Sequence, residues 1–173
     1  AVLDMTDAFM LSEETSIGKY PVECIKTLSK IINGAEASLE YEVILRDRSE
    51  LRKISSQDAV AYAICQIGAD LRLPAIIVYT KTGTNVQQII KYRPGIPIIA
   101  LSPNEAVLRR MALCWGVLPL KIEELNSIDD IMSKGIETAK GIGCFHSGDR
   151  VIISGSLPIG SKESINFLQV VMV

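Results

Sequence analysis

From Leu73 onward the sequence alternates short β-branched runs with amphipathic stretches, and this alternation constrains the fold more than any other feature. A strand–helix–strand rhythm is the sequence form of a largely parallel sheet covered by helices. Pro74-Ala-Ile-Ile-Val-Tyr79 reads as a first strand, ended by Thr-Lys-Thr-Gly and followed by a helix over 85–92 with Val86, Ile89 and Ile90 facing inward. Pro97-Ile-Ile-Ala-Leu101 is a second strand, after which Ser102-Pro-Asn-Glu105 caps a helix lined by Val107, Met111 and Cys114. Gly116-Val-Leu-Pro-Leu-Lys-Ile122 is a third, and Asn126-Ser-Ile-Asp-Asp130 opens a helix running to about Gly141. Two last runs, Arg150–Ser154 and Asn166–Val173, are joined too closely for a parallel crossover, so the final strand is expected to pair antiparallel with its predecessor or to lie elsewhere on the sheet edge.

The expected fold is therefore α/β: a three-layer α/β/α domain over residues 56–173, its five-stranded sheet mostly parallel with an antiparallel terminal strand. The front differs. Asp7-Ala-Phe-Met-Leu11 reads as a strand, Ser12-Glu-Glu-Thr15 as a helix start and Pro21–Glu40 as a long helical stretch. A lone βα unit cannot bury both faces of its strand, so residues 1–40 are expected to belong to a larger sheet or barrel, and a chain opening Ala1-Val-Leu-Asp-Met5 reads as starting inside it. Residues 41–55, charged and poorly periodic, read as a linker, and Ser56–Leu71 as a helix with Ala59, Ala63, Ile67 and Ala69 on its packed side.

Composition narrows the chemistry. Eighteen Lys and Arg against 20 Asp and Glu give a net charge of −2, which calls for neither nucleic acid nor an acidic membrane surface. The longest apolar runs, about seven residues, are too short to span a bilayer and show no secretory leader, so a cytoplasmic location is expected. Cys24, Cys65, Cys114 and Cys144 are scattered with no C-x-x-C pair, and His146 is the only histidine, so no metal site is expected and buried reduced thiols are the ordinary reading. Trp115, between a helix and a strand, reads as core, and Lys91, Arg93, Arg109 and Arg110 as a solvated face.

Three stretches can carry chemistry. Thr80-Lys-Thr-Gly-Thr-Asn85 follows a strand and opens a helix, placing backbone N–H groups, three hydroxyls and the Lys81 ammonium where a phosphate would be held. The spacing is not that of a nucleotide-hydrolysing P-loop, and the residues alone leave a phosphate site and an ordinary capped loop both open. Ser154 to Ser164, with Gly155, Ser156, Gly160 and Ser161, is long enough to fold over a ligand, although its composition also suits a plain hairpin connection. Ser12, Glu13 and Glu14 put a hydroxyl and two carboxylates at a helix start, where capping is the simplest account and catalysis the alternative if a barrel surrounds them.

Asp7-Ala-Phe-Met-Leu-Ser-Glu-Glu-Thr-Ser-Ile-Gly-Lys-Tyr-Pro21, Ile77-Val-Tyr-Thr-Lys-Thr-Gly-Thr84, Tyr92-Arg-Pro-Gly-Ile-Pro-Ile-Ile-Ala100, Gly148-Asp-Arg-Val-Ile-Ile-Ser-Gly155 and Ile165-Asn-Phe-Leu-Gln-Val170 together resemble the pyruvate kinases, in the right order and over essentially the whole chain. The resemblance implies the last βα segment of a catalytic (β/α)₈ barrel followed by the C-terminal regulatory α/β domain. It implies that Ser12 and Glu14 border the active site; Glu13 stands where the family motif has Gly. It implies that the catalytic Lys and the Mg²⁺ and K⁺ ligands lie in barrel segments outside these residues, so the chain is not catalytic alone and itself holds no cofactor. Thr80, Lys81, Thr82, Gly83, Thr84 and Asn85 match the family's effector-phosphate loop, and 154–164 its effector loop. Residues 123–133 lack the Arg and Trp used by members that bind fructose 1,6-bisphosphate, so a sugar monophosphate or AMP is the expected effector. The resemblance also implies a homo-oligomer through helices and terminal strand 167–173. The alternatives are a stand-alone paralogue of this domain and a purely structural interaction module.

Overall fold

A computed structural model describes residues 1–50, 55–159 and 165–173, and in it the chain divides into a unit Ala1–Glu40 and a unit Tyr41–Val173. The first contains α1 (Glu13–Ser16) and α2 (Pro21–Glu36), the latter started by Pro21, whose missing N–H costs nothing in a first turn. The strand expected over Asp7–Leu11 is absent. An isolated extended run has no neighbouring edge on which to pair its N–H and C=O groups, so a short apolar run alone does not make it a strand.

In the second unit the expected linker is largely helical: α3 (Tyr41–Glu50) turns Glu42, Arg46, Asp47 and Glu50 to solvent and buries Leu45. Residues 51–54, the rest of that stretch, lie outside the described residues. Helix α3 is closely seated, because a Cβ at Gly95 would stand 2.7 Å from Tyr41 Cγ. Helix α4 (Ser56–Asp70) begins at Ser55, whose hydroxyl accepts the Asp58 N–H at 3.1 Å and so satisfies one of the free donors of a helix start.

Five strands follow the predicted rhythm: β1 (Ile76–Tyr79), β2 (Ile98–Ser102), β3 (Val117–Lys121), β4 (Arg150–Gly155) and β5 (Phe167–Met172), in the order β3-β2-β1-β4-β5. All pairs are parallel except β4 with β5, as the short connection required. In register, Ile76 lies between Ile98 and Ile152. Because side chains alternate across a strand, Ile76, Val78, Ile98, Ala100 and Ile152 share one apolar layer with α4, α5 (Thr84–Ile90) and α6 (Glu105–Met111). Ile77, Tyr79, Ile99, Leu101, Val151 and Ile153 pack on the other face against α7, a helical stretch of Ile128–Asp130, a π-turn Ile131–Gly135 and Ile136–Lys140. Both faces being covered explains the unbroken apolar runs of β1 and β2; each buried isoleucine contributes about 2 kcal/mol. Trp115 is buried as expected, but Arg93 does not join a solvated face: it is 7% exposed, with its guanidinium carbon 5.1 Å from the Trp115 ring centre.

Candidate functional site

The helices on one face carry the chain from β1 to β2 to β3, and α7 on the other returns it to β4, so the strand order reverses between β1 and β4. Loops leaving the carboxyl ends of two such strands diverge and open a crevice there, the place where open α/β sheets hold ligands. The two loops are Thr80–Gly83 and the segment after Gly155, which puts both sequence-predicted loops at one end of the sheet.

Each loop residue is held in place. Thr80 is buried, and its hydroxyl accepts the Gly83 N–H at 2.9 Å, closing a tight turn. Gly83 has φ 87°, a left-handed conformation that costs any other residue, and a Cβ on it would stand 3.3 Å from Val107 Cγ1 and Arg110 Nη2. Thr82 and Thr84 are exposed, their hydroxyls hydrogen-bonded to each other at 2.9 Å, and Thr82 Oγ1 also accepts the Thr84 N–H at 3.4 Å. Asn85 is buried; its Nδ2 donates to the Tyr79 carbonyl at 3.3 Å and its Oδ1 accepts from Ser156 Oγ at 3.0 Å. That last bond joins residues 71 apart in sequence and ties the two loops across the reversal point.

Ser154 and Gly155 belong to β4 rather than to the second loop. Ser154 is fully buried with its hydroxyl donated to the Phe167 carbonyl at 2.7 Å, and Gly155 pairs with Phe167. Beyond Ser156, Asn166 brackets the loop: its side chain accepts the Leu157 N–H at 2.7 Å and donates to the Leu157 carbonyl at 2.6 Å. Gly160, Ser161 and Ser164 lie outside the described residues. Ser12 and Glu14 are in the first unit, where the Ser12 hydroxyl makes no cap; instead the Glu14 carboxylate accepts the Ser12 N–H at 3.0 Å.

Two residues that matter here were not singled out from the sequence. Glu124, just beyond β3, forms an ion pair with Lys81, and this carboxylate raises the lysine's pKa. Arg110, read as part of a solvated face, donates its guanidinium to the Thr82 carbonyl. Beside Lys81 opens a polar depression of about 530 Å³ lined by Lys81, Pro103, Asn104, Glu105, Lys121 and Glu124. It holds a second ion pair, Lys121 with Glu105, which lowers the glutamate's pKa. The Glu123-Glu124 doublet at the carboxyl end of a strand was a visible signal; its partner was not. Among the described residues no cluster of His, Cys, Asp or Glu is arranged to hold a metal ion, and no helix is long and apolar enough to cross a membrane.

The fold has close counterparts. The profile of the family "Pyruvate kinase, alpha/beta domain" matches residues 58–171. A pyruvate kinase of Clostridium acetobutylicum is 36% identical over 173 residues, all of this chain and 37% of that protein. One from Geobacillus stearothermophilus is 38% identical over 170 residues, 98% of this chain and 29% of its own length. A crystal structure of a pyruvate kinase from Cryptosporidium parvum superposes with a TM-score of 0.90 at 26% identity, covering 99% of this chain and 34% of that one. The chain thus spans about a third of the length of these relatives. On these matches the chain belongs to the pyruvate kinase family and corresponds to its C-terminal part.

Proposed function

We propose that this chain is the regulatory and oligomerising C-terminal region of a pyruvate kinase, binding a phosphorylated small molecule at Thr80, Lys81, Thr82, Gly83, Thr84 and Asn85 and having no turnover alone. The observation that carries the reading is the Asn85–Ser156 hydrogen bond, which draws the two loops together at the reversal point of the sheet and leaves the Thr82 and Thr84 hydroxyls exposed beside Lys81. The first turn supplies backbone donors and alcohols, the lysine a charge, and the segment around Ser156 a cover. In the longer enzyme, phosphoryl transfer from phosphoenolpyruvate to ADP, with Mg²⁺ and K⁺, belongs to the barrel, with Ser12 and Glu14 at its border. Residues 123–133 carry Glu123, Glu124, Asp129 and Asp130 and no basic side chain, which favours a monophosphate such as a pentose phosphate or AMP over a bisphosphate. The outer edge of β5, with Met172 exposed, suits pairing with a second copy, and a cytoplasmic location fits a glycolytic enzyme.

One observation favours the rival reading of a purely structural module: Lys81 and Arg110 already have partners within the chain. The deciding experiment is a thermal-shift titration of the 173-residue chain with ribose 5-phosphate, AMP and fructose 1,6-bisphosphate, repeated on Lys81→Ala. A ligand at a hundred times its Kd stabilises by about 2.7 kcal/mol, roughly 10 °C for a unit of this size. A shift that Lys81→Ala abolishes supports the effector site. No shift with any compound supports the structural module.

A further inference from the structure

We infer that Glu124 is an internal competitor for the effector's phosphate, so that a ligand binds only by displacing this carboxylate from Lys81. The inference rests on the effector reading above and concerns how that site is controlled. Helix α5 is only seven residues long, so little of the attraction for an anion comes from its dipole, and the charge of Lys81 must supply most of it. That charge is already engaged: the ammonium contacts Glu124 Oε1, and Glu124, 60% exposed, occupies the side of Lys81 that opens into the depression. Among the described residues lining the depression the one other lysine, Lys121, is paired with Glu105, which also faces Arg109 at 3.7 Å, so neither lysine there is left without a carboxylate partner. Arg110 does not line the depression; it donates to the Thr82 carbonyl, the contact that holds the turn.

Two consequences follow from the chemistry. A phosphate dianion outcompetes a single carboxylate for an ammonium, whereas a ligand bearing only a carboxylate exchanges like for like and gains nothing. A displaced Glu124 remains beside the ligand as an acceptor, which suits a body carrying hydroxyl donors and repels a second phosphate. Glu124 thereby sets both the threshold for occupancy and the preference for a hydroxylated phosphomonoester.

The test is calorimetric titration of ribose 5-phosphate and fructose 1,6-bisphosphate into the full chain and into Glu124→Gln, Glu105→Gln and Lys81→Ala at low and high salt. Glu105→Gln removes the same charge from the same depression without freeing Lys81, and so separates competition from a general field. Glu124→Gln is expected to tighten ribose 5-phosphate about three- to fivefold, the worth of an exposed ion pair, with a larger gain for the bisphosphate and both gains shrinking at high salt. Glu105→Gln is expected to change affinity by less than about twofold. Equal gains from both glutamine variants would overturn the competitor role, as would a Glu124→Gln chain that binds like the parent through Lys81; either result leaves the effector site standing. Absence of binding in the parent and in Glu124→Gln alike would overturn the site itself and this inference with it.

Discussion

Replacing Asn85 by alanine tests whether the two loops are held together by that side chain. The amide is 5% exposed and makes two bonds, to the Tyr79 carbonyl and from the Ser156 hydroxyl. Each contributes about 1 kcal/mol net, so Asn85→Ala should lower stability by about 2 kcal/mol. With an unfolding entropy of about 2.1 cal/mol/K per residue over some 130 residues, that is a fall in Tm of roughly 7 °C. Ser156→Ala removes one bond at a half-buried site and should cost about 1 kcal/mol. The pair should not add: a double-mutant cycle is expected to give a coupling of about 1 kcal/mol, because either single change already breaks the shared bond. Asn85→Asp keeps the shape but sets a carboxylate against the Tyr79 carbonyl, and should destabilise at least as much as alanine. Urea unfolding followed by fluorescence of Trp115, the one tryptophan and 7% exposed, reads all four chains. Additive single effects, or a loss under 0.5 kcal/mol for Asn85→Ala, would refute the claim that this bond ties the site.

Gly83→Ala forces a β-carbon into the left-handed region and to 3.3 Å from Val107 and Arg110, so it should cost about 1–2 kcal/mol by urea denaturation. Burial pushes the Cys65 thiol pKa up, so in the native chain Cys65 should stay unreactive toward a disulfide reagent at pH 8 while the partly exposed Cys24, Cys114 and Cys144 react; full labelling needs denaturant. The Ser127 hydroxyl bonded to Asp130 holds that carboxyl below its usual 3.8. Since its folded value is the lower one, ionised Asp130 favours the fold above 3.8 and the contribution fades as pH falls through the folded value. The stability deficit of Ser127→Ala should therefore narrow as pH drops below 3.8, measured by urea midpoints across an acid series.

The sheet was legible in the sequence because Ile76–Tyr79, Ile98–Ser102 and Arg150–Gly155 are buried on both faces and so are written as runs of β-branched residues. The antiparallel return of β5 followed from connection length alone. Helix α3 was hidden because Arg46, Asp47, Arg48 and Glu50 dominate its composition, while Leu45 is its one buried side chain. The opposite error arose at Asp7–Leu11, where a short apolar run after Asp7 promised a strand that has no partner among the described residues. At the site, the Thr80 turn was readable from local chemistry, since hydroxyls and a glycine at a strand end have few uses. The Asn85–Ser156 and Lys81–Glu124 pairs were not, because separations of 71 and 43 positions leave no periodic trace of which side chains converge. Arg110 was unreadable for a related reason: a charge on a helix surface looks solvated until a neighbouring carbonyl is placed beneath it.

The position of β1 in the sheet also fixes an order of events during synthesis. Ile76 emerges from a ribosome long before Ile152, yet these two residues are neighbours in register. Until β4 is made, one edge of the most buried strand stays open and the crevice has a single wall. The fifth strand, β5, covers the free edge of β4 and pairs Phe167 with Gly155. Any chain terminated before residue 167 therefore presents an unpaired, β-branched edge to its neighbours, a template for intermolecular pairing, so truncation should yield aggregates rather than a smaller folded domain.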